Sequence, residues 1–304
     1  MNDSLQGKIV AVTGATGFLG SHIVESLSAA GAQIVGVVRT PEKGAWMLSE
    51  QVQFRKADLR DQASMEAAFE GCDAVVANAA LAIRGRASLA EFKEANVDGV
   101  ERTLRACKAA GVSRVVLVSS VGVYQVKMGV PIDENTPLRT GFRLDPSLLT
   151  TNWRYALSKS LGEQLAWELA ETLDLQLTSI RPGPVYGARD KKFSARLRGL
   201  ATRSWTLLPG VRVPMVHARD VADAISAALA REVSIGTAYT LGGNAHDLAK
   251  VVRTLASLLG SACRVLRVPL PGGVVFNDSL AIRDLGIQHR SLEQGLQEVV
   301  EFPQ

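Results

Sequence analysis

The stretch Thr13-Gly14-Ala15-Thr16-Gly17-Phe18-Leu19-Gly20 directly follows a short apolar run at residues 8–12. Its glycines have the spacing G-x-x-G-x-x-G, and the apolar residues after it recur at helical intervals. A strand that passes through a glycine turn into a helix leaves backbone N–H groups at the helix N-terminus that can bind a pyrophosphate. We therefore predict a dinucleotide site at this turn, formed by Gly14, Ala15, Thr16, Gly17, Phe18, Leu19 and Gly20.

The composition argues against several other classes of protein. The chain has 304 residues, of which 47% are hydrophobic and 21% are charged, enough for a large globular core. It lacks the roughly 18 consecutive apolar residues of a membrane span and begins without a signal-peptide pattern, so we expect a cytoplasmic protein with no membrane partner. The 34 Lys and Arg barely exceed the 30 Asp and Glu, which does not indicate nucleic-acid binding. The three cysteines and four histidines are too scattered to indicate disulfides or a metal site.

The end of the second predicted strand, at residues 32–38, bears on the choice of dinucleotide. At this place in a dinucleotide-binding fold an acidic residue binds the ribose 2′-hydroxyl of NAD, whereas an arginine accommodates the 2′-phosphate of NADP. This strand ends on Arg39, with Lys43 close behind. Arg39 can also be read as an ordinary surface residue, but its position and the missing acid favour NADP over NAD.

Predicted strands and helices alternate along the first 180 residues. Apolar runs at residues 52–59, 73–80, 114–120 and 175–181 alternate with helical patterns that include residues 91–110 and 155–172. This order predicts right-handed crossovers and a doubly wound parallel sheet, an α/β fold of Rossmann type. The pattern is less regular afterwards. We therefore predict an NADP-binding domain at residues 1–182 and a smaller C-terminal α/β substrate lobe at 183–304, with some segments returning to the first domain.

The stretch Tyr155-Ala156-Leu157-Ser158-Lys159 places a phenol and an ammonium group on one face of a helix. A nearby cation lowers the pKa of a tyrosine from its usual value near 10, so we expect Tyr155 to exchange a proton near neutral pH. Ser119 and Ser120 end a predicted strand, and ligands of such sheets bind beyond the carboxyl ends of the strands. One of these serines can hydrogen-bond a substrate oxygen, and the other then only caps the strand.

Together these features resemble an extended short-chain dehydrogenase/reductase, of the NAD(P)-dependent epimerase/dehydratase and dihydroflavonol-reductase-like group. The resemblance covers nearly the whole chain. Besides the glycine turn and the Tyr155 stretch, it rests on Asp58-Leu59, Asn78-Ala79-Ala80 and residues 96–99, 118–124, 181–187 and 216–222.

The resemblance implies a set of site residues and a reaction. Ser120, Tyr155 and Lys159 would be catalytic, with Tyr155 as the acid/base and Lys159 also holding the nicotinamide ribose. Hydride would pass between the nicotinamide and a carbonyl or secondary alcohol without a metal, and a homodimer would form through the Tyr155 helix and the helix before it. Besides the glycine turn, the implied cofactor contacts are Arg39, Asp58, Leu59, Asn78, Ala79, Ala80, Tyr155, Lys159, Pro182, Gly183 and Val185.

The chain departs from the family pattern in four places, one of which is Trp153-Arg154, where many relatives have a proline-containing approach to the tyrosine. Asn78 stands where relatives have a histidine. The serine position lacks the Thr-Asp-Glu cluster of the dehydratases, which argues against dehydration. The interval between Ser120 and Tyr155 is longer than usual, so residues 141–151 are expected to shape an unusual substrate pocket.

Two other functions remain open beside the NADP-dependent oxidoreductase, namely a nucleotide-sugar epimerase that holds NAD tightly and a non-catalytic NADP sensor. A basic stretch either binds a substrate diphosphate or is a solvated helix face. The apolar residues beside it, Trp205, Leu207 and Leu208, favour an apolar or moderately polar carbonyl substrate. The basic residues are Arg189, Lys191, Lys192, Arg196, Arg198 and Arg203.

Overall fold

The computed structural model describes residues 5–82, 87–126, 129–141, 152–268 and 273–302. Up to residue 182 the elements are β1 (Ile9–Thr13), α1 (Phe18–Ala29), β2 (Gln33–Val38), β3 (Val52–Lys56), α2 (Gln62–Phe69), β4 (Ala74–Ala77), α3 (Leu89–Lys93), α4 (Gly99–Ala109), β5 (Arg114–Val118), α5 (Trp153–Leu173) and β6 (Gln176–Pro182). The later elements are β7 (Val185–Tyr186), α6 (Phe193–Ala201), β8 (Trp205–Pro209), β9 (Arg212–His217), α7 (Ala218–Ala230), β10 (Ala238–Leu241), β11 (Asn244–Asp247), α8 (Leu248–Leu258), β12 (Arg264–Val268), α9 (Ser279–Leu285) and α10 (Leu292–Glu301). Among the described residues, no helix has the length and apolar character needed to cross a membrane.

The central sheet confirms the predicted Rossmann-type fold. In the described part of the chain seven strands pair in the order β10-β6-β5-β4-β1-β2-β3, and every pairing is parallel. Because β1 lies between β2 and β4, the direction in which strands are added reverses at β1. Ligands of open α/β sheets bind at such a switch point, beyond the carboxyl ends of the strands. The glycine turn at residues 14–20 follows β1 at this switch point.

Helices cover both faces of this sheet, which explains why its strands are almost continuously apolar. On one face, buried side chains of α1 and α7 such as Leu27 and Ile225 pack with Val10 and Val12 of β1. On the other face, α2, α4 and α5 contribute a second buried cluster that contains Leu104. Both faces of the sheet are therefore core, and the predicted dinucleotide site lies beyond the carboxyl ends of its strands.

Most of the chain after β6 forms a smaller second region. Its strands form a sheet in the order β11-β9-β7 and a parallel ribbon of β8 and β12. Apolar side chains of α6, α8 and α10, among them Leu197, Leu255 and Leu296, form a separate buried cluster. Strand β10 and helix α7 instead join the central sheet and its cover. The division of the chain at residue 182 stays a prediction.

The helix expected at residues 91–110 is interrupted. A π-helical segment, Glu94–Asp98, separates α3 from α4. The carbonyl of Asn96 lies so close to Gly162 of α5 that any side chain at Gly162 would clash with it. The buried Asn96 amide nitrogen donates to the Ser158 hydroxyl at 3.0 Å and to the Leu81 carbonyl at 3.2 Å. Contact with α5 therefore accompanies the irregular turn, which amphipathic periodicity alone does not reveal.

Candidate active site

The glycine turn brings the start of α1 against the end of β1. Gly14 has a φ of +68°, which glycine adopts without the strain of a side chain. Its carbonyl accepts the Gly17 N–H at 2.9 Å, and a Cβ on Gly20 would clash with the same carbonyl. Gly17 precedes α1, and no side chain among the described residues caps the helix there. The first-turn N–H groups and the helix dipole therefore suit a diphosphate.

The end of β4 is bonded to this turn. The Thr13 hydroxyl accepts the N–H groups of Asn78 at 3.0 Å and Ala79 at 2.9 Å, and the Asn78 side chain donates to the Thr13 carbonyl at 3.2 Å. A Cβ on Gly14 would lie 3.2 Å from the Ala79 Cα atom. The structure thus brings two of the three residues of the Asn78-Ala79-Ala80 stretch against the glycine turn, and the Asn78 amide fastens the two strand ends together.

The strand ends at the predicted adenosine side carry charged groups. Arg39 follows β2 and is exposed, while Asp58 follows the neighbouring strand β3. Arg60 donates to both oxygens of the Asp58 carboxylate, at 3.0 and 2.8 Å. These bonds, together with a smaller contribution from the charge of Arg39, lower the pKa of Asp58 to about 2. Sequence reasoning missed Arg60, although its place two residues after Asp58 was a usable signal. Leu59 packs against Gly99 at the start of α4.

Tyr155 and Ser120 meet in the structure. The half-buried Tyr155 in the first turn of α5 lies close to the Ser120 side chain, and its ring meets the Phe92 ring edge-on at 6.1 Å between centroids. Burial raises the pKa of Tyr155, and the nearby Ser120 hydroxyl opposes that rise. Here the expectation that Lys159 lowers the tyrosine pKa was wrong. The Lys159 ammonium donates to the Val118 carbonyl at 2.8 Å instead.

The adjacent serines have different partners. The Ser120 oxygen accepts the Gly122 N–H at 3.1 Å and so begins a short 3₁₀ turn, and the Ser120 hydroxyl also lies close to Tyr155. The Ser119 hydroxyl instead donates to the Glu163 carboxylate at 2.5 Å. Ser120 is therefore the serine that lies beside the tyrosine.

A buried ion pair lies next to these groups. Arg181 of β6 donates to Glu163 of α5 at 2.7 and 2.8 Å, and their side chains are only 5% and 0% exposed. Arg181 also donates to the Tyr124 hydroxyl at 2.8 Å, which in turn bonds the Thr240 hydroxyl. Sequence reasoning missed this network, although Glu163 follows Lys159 by one helical turn. It ties α5, β6 and β10 together beneath Lys159.

We expect Glu163→Gln to lower the free energy of unfolding by about 3–5 kcal/mol, because it leaves the Arg181 charge buried without its counter-charge. Urea unfolding measures this loss. Glu168→Gln, at an exposed position of the same helix, is the matched control and should change stability by less than about 0.5 kcal/mol. Equal stability of both variants would show that the ion pair contributes nothing.

The basic stretch does not converge on one site. Arg189 binds Glu25 of α1 at 2.6 and 2.9 Å and lies over the Trp46 ring, so it fastens α1 to the segment after β7. Arg198 donates to the Val299 carbonyl at 3.4 Å, while Lys191 and Arg203 are exposed. The solvated reading therefore fits at least part of the stretch. Of the expected apolar wall, Trp205 and Leu207 are exposed on β8, whereas Leu208 points into the core of the second region.

The remaining predicted contacts lie at the end of β6. Pro182 ends that strand and Val185 begins β7, with Gly183 between them. Residues 142–151, which were expected to shape the substrate pocket, lie outside the described residues.

A parallel sheet with a glycine turn at its switch point and a serine close to the tyrosine of a Tyr-x-x-x-Lys helix defines the short-chain dehydrogenase/reductase class. Residues 10–242 match the model of the NAD dependent epimerase/dehydratase family, and the chain belongs to that family. It is an enzyme of the extended short-chain dehydrogenase/reductase type, and its cofactor is a nicotinamide dinucleotide.

Three relatives illustrate the likeness. The chain is 30% identical to cinnamoyl-CoA reductase 1 of Arabidopsis thaliana over 312 residues, which cover 97% of this chain and 89% of the relative. Its fold resembles UDP-glucose-4-epimerase from Stenotrophomonas maltophila, solved with NAD and formylated UDP-arabinopyranose, with a TM-score of 0.81 and 24% identity over 97% of each chain. It also resembles RMD from Pseudomonas aeruginosa, solved with NADPH, with a TM-score of 0.77 and 21% identity over 97% of this chain and 98% of that one.

Proposed function

We propose that this enzyme is an NADP-dependent oxidoreductase that transfers hydride between the nicotinamide and a carbonyl or secondary alcohol. The observation that carries the proposal is the proximity of the Tyr155 hydroxyl to the Ser120 hydroxyl, with Lys159 one helical turn further along α5. A relative that is a reductase by name, cinnamoyl-CoA reductase 1, supports reduction over epimerisation.

The chain's own groups suit a reduction. Ser120 and Tyr155 together form a polar pair that can hydrogen-bond a substrate carbonyl oxygen. Because the pKa of Tyr155 is raised, the phenol keeps its proton at neutral pH and can donate it to the oxygen as negative charge develops there. The bound nicotinamide supplies the hydride. Lys159, with its charge, is proposed to hold the nicotinamide ribose.

The glycine turn and the end of β2 fit NADP. The space that a Cβ of Gly20 would need is already filled by the Gly14 carbonyl, so backbone rather than side chains lines the turn. Arg39 ends β2 where an acid would select NAD. Its exposed guanidinium is able to bind a 2′-phosphate as a fork.

The choice of cofactor is tested by competition. The purified protein is mixed with equal NAD and NADP, and the nucleotide that remains after gel filtration is identified. We expect the protein to bind NADP in preference to NAD and to exchange the bound NADP freely with NADP in solution. NAD that stays bound without exchange would overturn the proposal in favour of the epimerase, and retention of neither would contradict dinucleotide binding at this turn.

Arg39→Ala should weaken NADP binding by about 10–100-fold, because a charge-assisted hydrogen bond contributes about 1.5–3 kcal/mol. NAD binding should change by less than about twofold. Isothermal titration with each nucleotide measures both effects. Arg105→Ala, which removes an exposed arginine paired with Glu101 on α4, is the matched control. Parallel losses of NAD and NADP affinity in Arg39→Ala would refute the assigned role.

The reduction should also depend on pH through Lys159. Burial lowers the pKa of this lysine to about 8, although the Glu163 charge opposes the shift. Lys159 is therefore protonated below pH 8 and loses its charge above it, while Tyr155 keeps its proton. We expect kcat/KM for reduction to fall as the pH rises through about 8. A rate that stays constant up to pH 10 would show that the lysine charge is not required.

The homodimer through α4 and α5 and the cytoplasmic location stay predictions, as does the apolar character of the substrate.

A further inference from the structure

An aspartate far along the chain is bonded to a glycine turn at the end of the central sheet. Asp278, just before α9, accepts the N–H of Gly242 on one carboxylate oxygen and the N–H of Gly243 on the other, both at 2.9 Å. The aspartate side chain is only 7% exposed. Gly243 has a φ of +74°, so the turn has a conformation that other residues rarely adopt.

This turn lies directly against the end of β6. The Gly183 N–H donates to the Leu241 carbonyl at 2.8 Å, which continues the pairing of β6 with β10. A Cβ on Gly183 would lie 2.6 Å from the Gly242 carbonyl oxygen, so the two backbones touch without an intervening side chain. Any movement of the Gly242–Gly243 turn is therefore transmitted to Gly183 directly.

A histidine supports the aspartate from the other side. The His289 Nε2 atom lies 2.9 Å from Asp278, and the Nδ1 atom lies 3.7 Å from Asp220. The nearby carboxylates of Asp220 and Asp278, of which Asp278 is hydrogen-bonded, raise the pKa of His289 to about 9, so it is positively charged at neutral pH. Arg290 also binds Asp220 and bonds Asp223 at 3.1 Å. The aspartate is thus held by a charge-assisted bond in addition to its two bonds with the glycines.

We propose that Asp278 is a positioning residue that fixes the Gly242–Gly243 turn and, through it, holds Gly183 against the nicotinamide end of the cofactor. The inference rests on the proposed function, because it uses the predicted contact of Gly183 with the nicotinamide. Asp278 does not itself touch the cofactor. It lies outside the matched residues 10–242.

The proposal predicts a loss confined to one end of the cofactor. In Asp278→Asn one of the two carboxylate oxygens becomes an NH₂ group, which cannot accept from a glycine N–H. A buried N–H then lacks its acceptor, the turn shifts, and Gly183 follows. The adenosine end is held by β1, β2 and β3 on the far side of the sheet and should not change.

Two ligands separate the ends of the cofactor. Affinities for NADPH and for adenosine 2′,5′-bisphosphate, which has no nicotinamide, are measured by titration on the full-length chain. Asp278→Asn should lower the affinity for NADPH by about tenfold and the affinity for the bisphosphate by less than twofold. Asp247→Asn, at the N-cap of α8, is the matched control and should leave both affinities unchanged. Equal changes in both affinities, or no change in either, would overturn the proposal.

A second variant covers the case in which Asp278→Asn does not fold. His289→Ala keeps both bonds between Asp278 and the glycines, and it should lower the affinity for NADPH selectively, by about threefold. If the variant and the wild type bound each ligand with equal affinity, the inference would be contradicted. A failure of the proposed function is distinguished by the binding of dinucleotides to the wild-type chain. A wild-type chain that prefers NAD refutes the NADP assignment, and the comparison is then made with NADH and 5′-AMP. A wild-type chain that binds no dinucleotide refutes both.

Discussion

Replacing Tyr155 with phenylalanine is expected to reduce turnover by about 10²–10⁴-fold, the usual contribution of a positioned acid/base. The change removes only the hydroxyl that lies close to Ser120. The ring and its edge-on contact with Phe92 remain, so the helix and the fold should be unaffected. We expect NADPH to bind within about threefold of its normal affinity, because the lost hydroxyl acts on the substrate oxygen.

The measurement is kcat at saturating NADPH, with the carbonyl compound that the wild-type enzyme reduces fastest in a screen. Tyr239→Phe is the matched control, since it removes a buried hydroxyl whose partners, Val233 and Asp284, lie outside the candidate site. A Tyr155→Phe variant with full activity would refute the acid/base assignment. Full binding without turnover in either protein, for every carbonyl tested, would instead favour the NADP sensor.

Gly20→Ala is expected to weaken dinucleotide binding by more than about 100-fold. The new Cβ would clash with the Gly14 carbonyl, and because that atom belongs to the backbone, no change of side-chain rotamer relieves the clash. The turn has to open, and misplacement of a binding group by about 1 Å can cost two orders of magnitude. Fluorescence titration with NADPH measures the loss, and circular dichroism shows whether the fold is retained.

Gly199→Ala provides the contrast. Gly199 lies inside α6, and a Cβ there meets nothing within 4 Å in the described part of the chain. This variant should bind NADPH normally and gain about 0.5–1 kcal/mol of stability, the usual difference between alanine and glycine in a helix. Normal binding by a folded Gly20→Ala would show that the dinucleotide binds somewhere else.

The features that could be predicted from the sequence are local ones. The Gly14 turn, the strand before it and the helix after it lie within some 20 residues, so spacing alone identifies them. The same is true of the Tyr155 and Lys159 pair on one helix. The interrupted helix around Asn96 was missed because it accompanies a contact with Gly162, which belongs to another element.

The parts of the site that were missed join residues far apart in the chain. Glu163 meets Arg181 and Ser119 from different elements, and Asp278 meets glycines 35 and 36 residues away. No periodicity in the sequence records such pairings. The prediction that Lys159 lowers the pKa of Tyr155 was wrong for the same reason. Helical spacing gives the distance between two residues along α5, but it does not show which groups of other elements their side chains contact.

The position of strand β10 determines whether the two regions of the molecule can be separated or can unfold independently. This strand enters the central sheet only after the chain has built β7, α6, β8, β9 and α7, and it covers the edge of β6. A fragment cut after β6 would expose a row of unpaired backbone groups and would also lack α7, which packs on α1. We therefore expect the two regions to unfold together, and we expect neither to be stable when it is expressed separately.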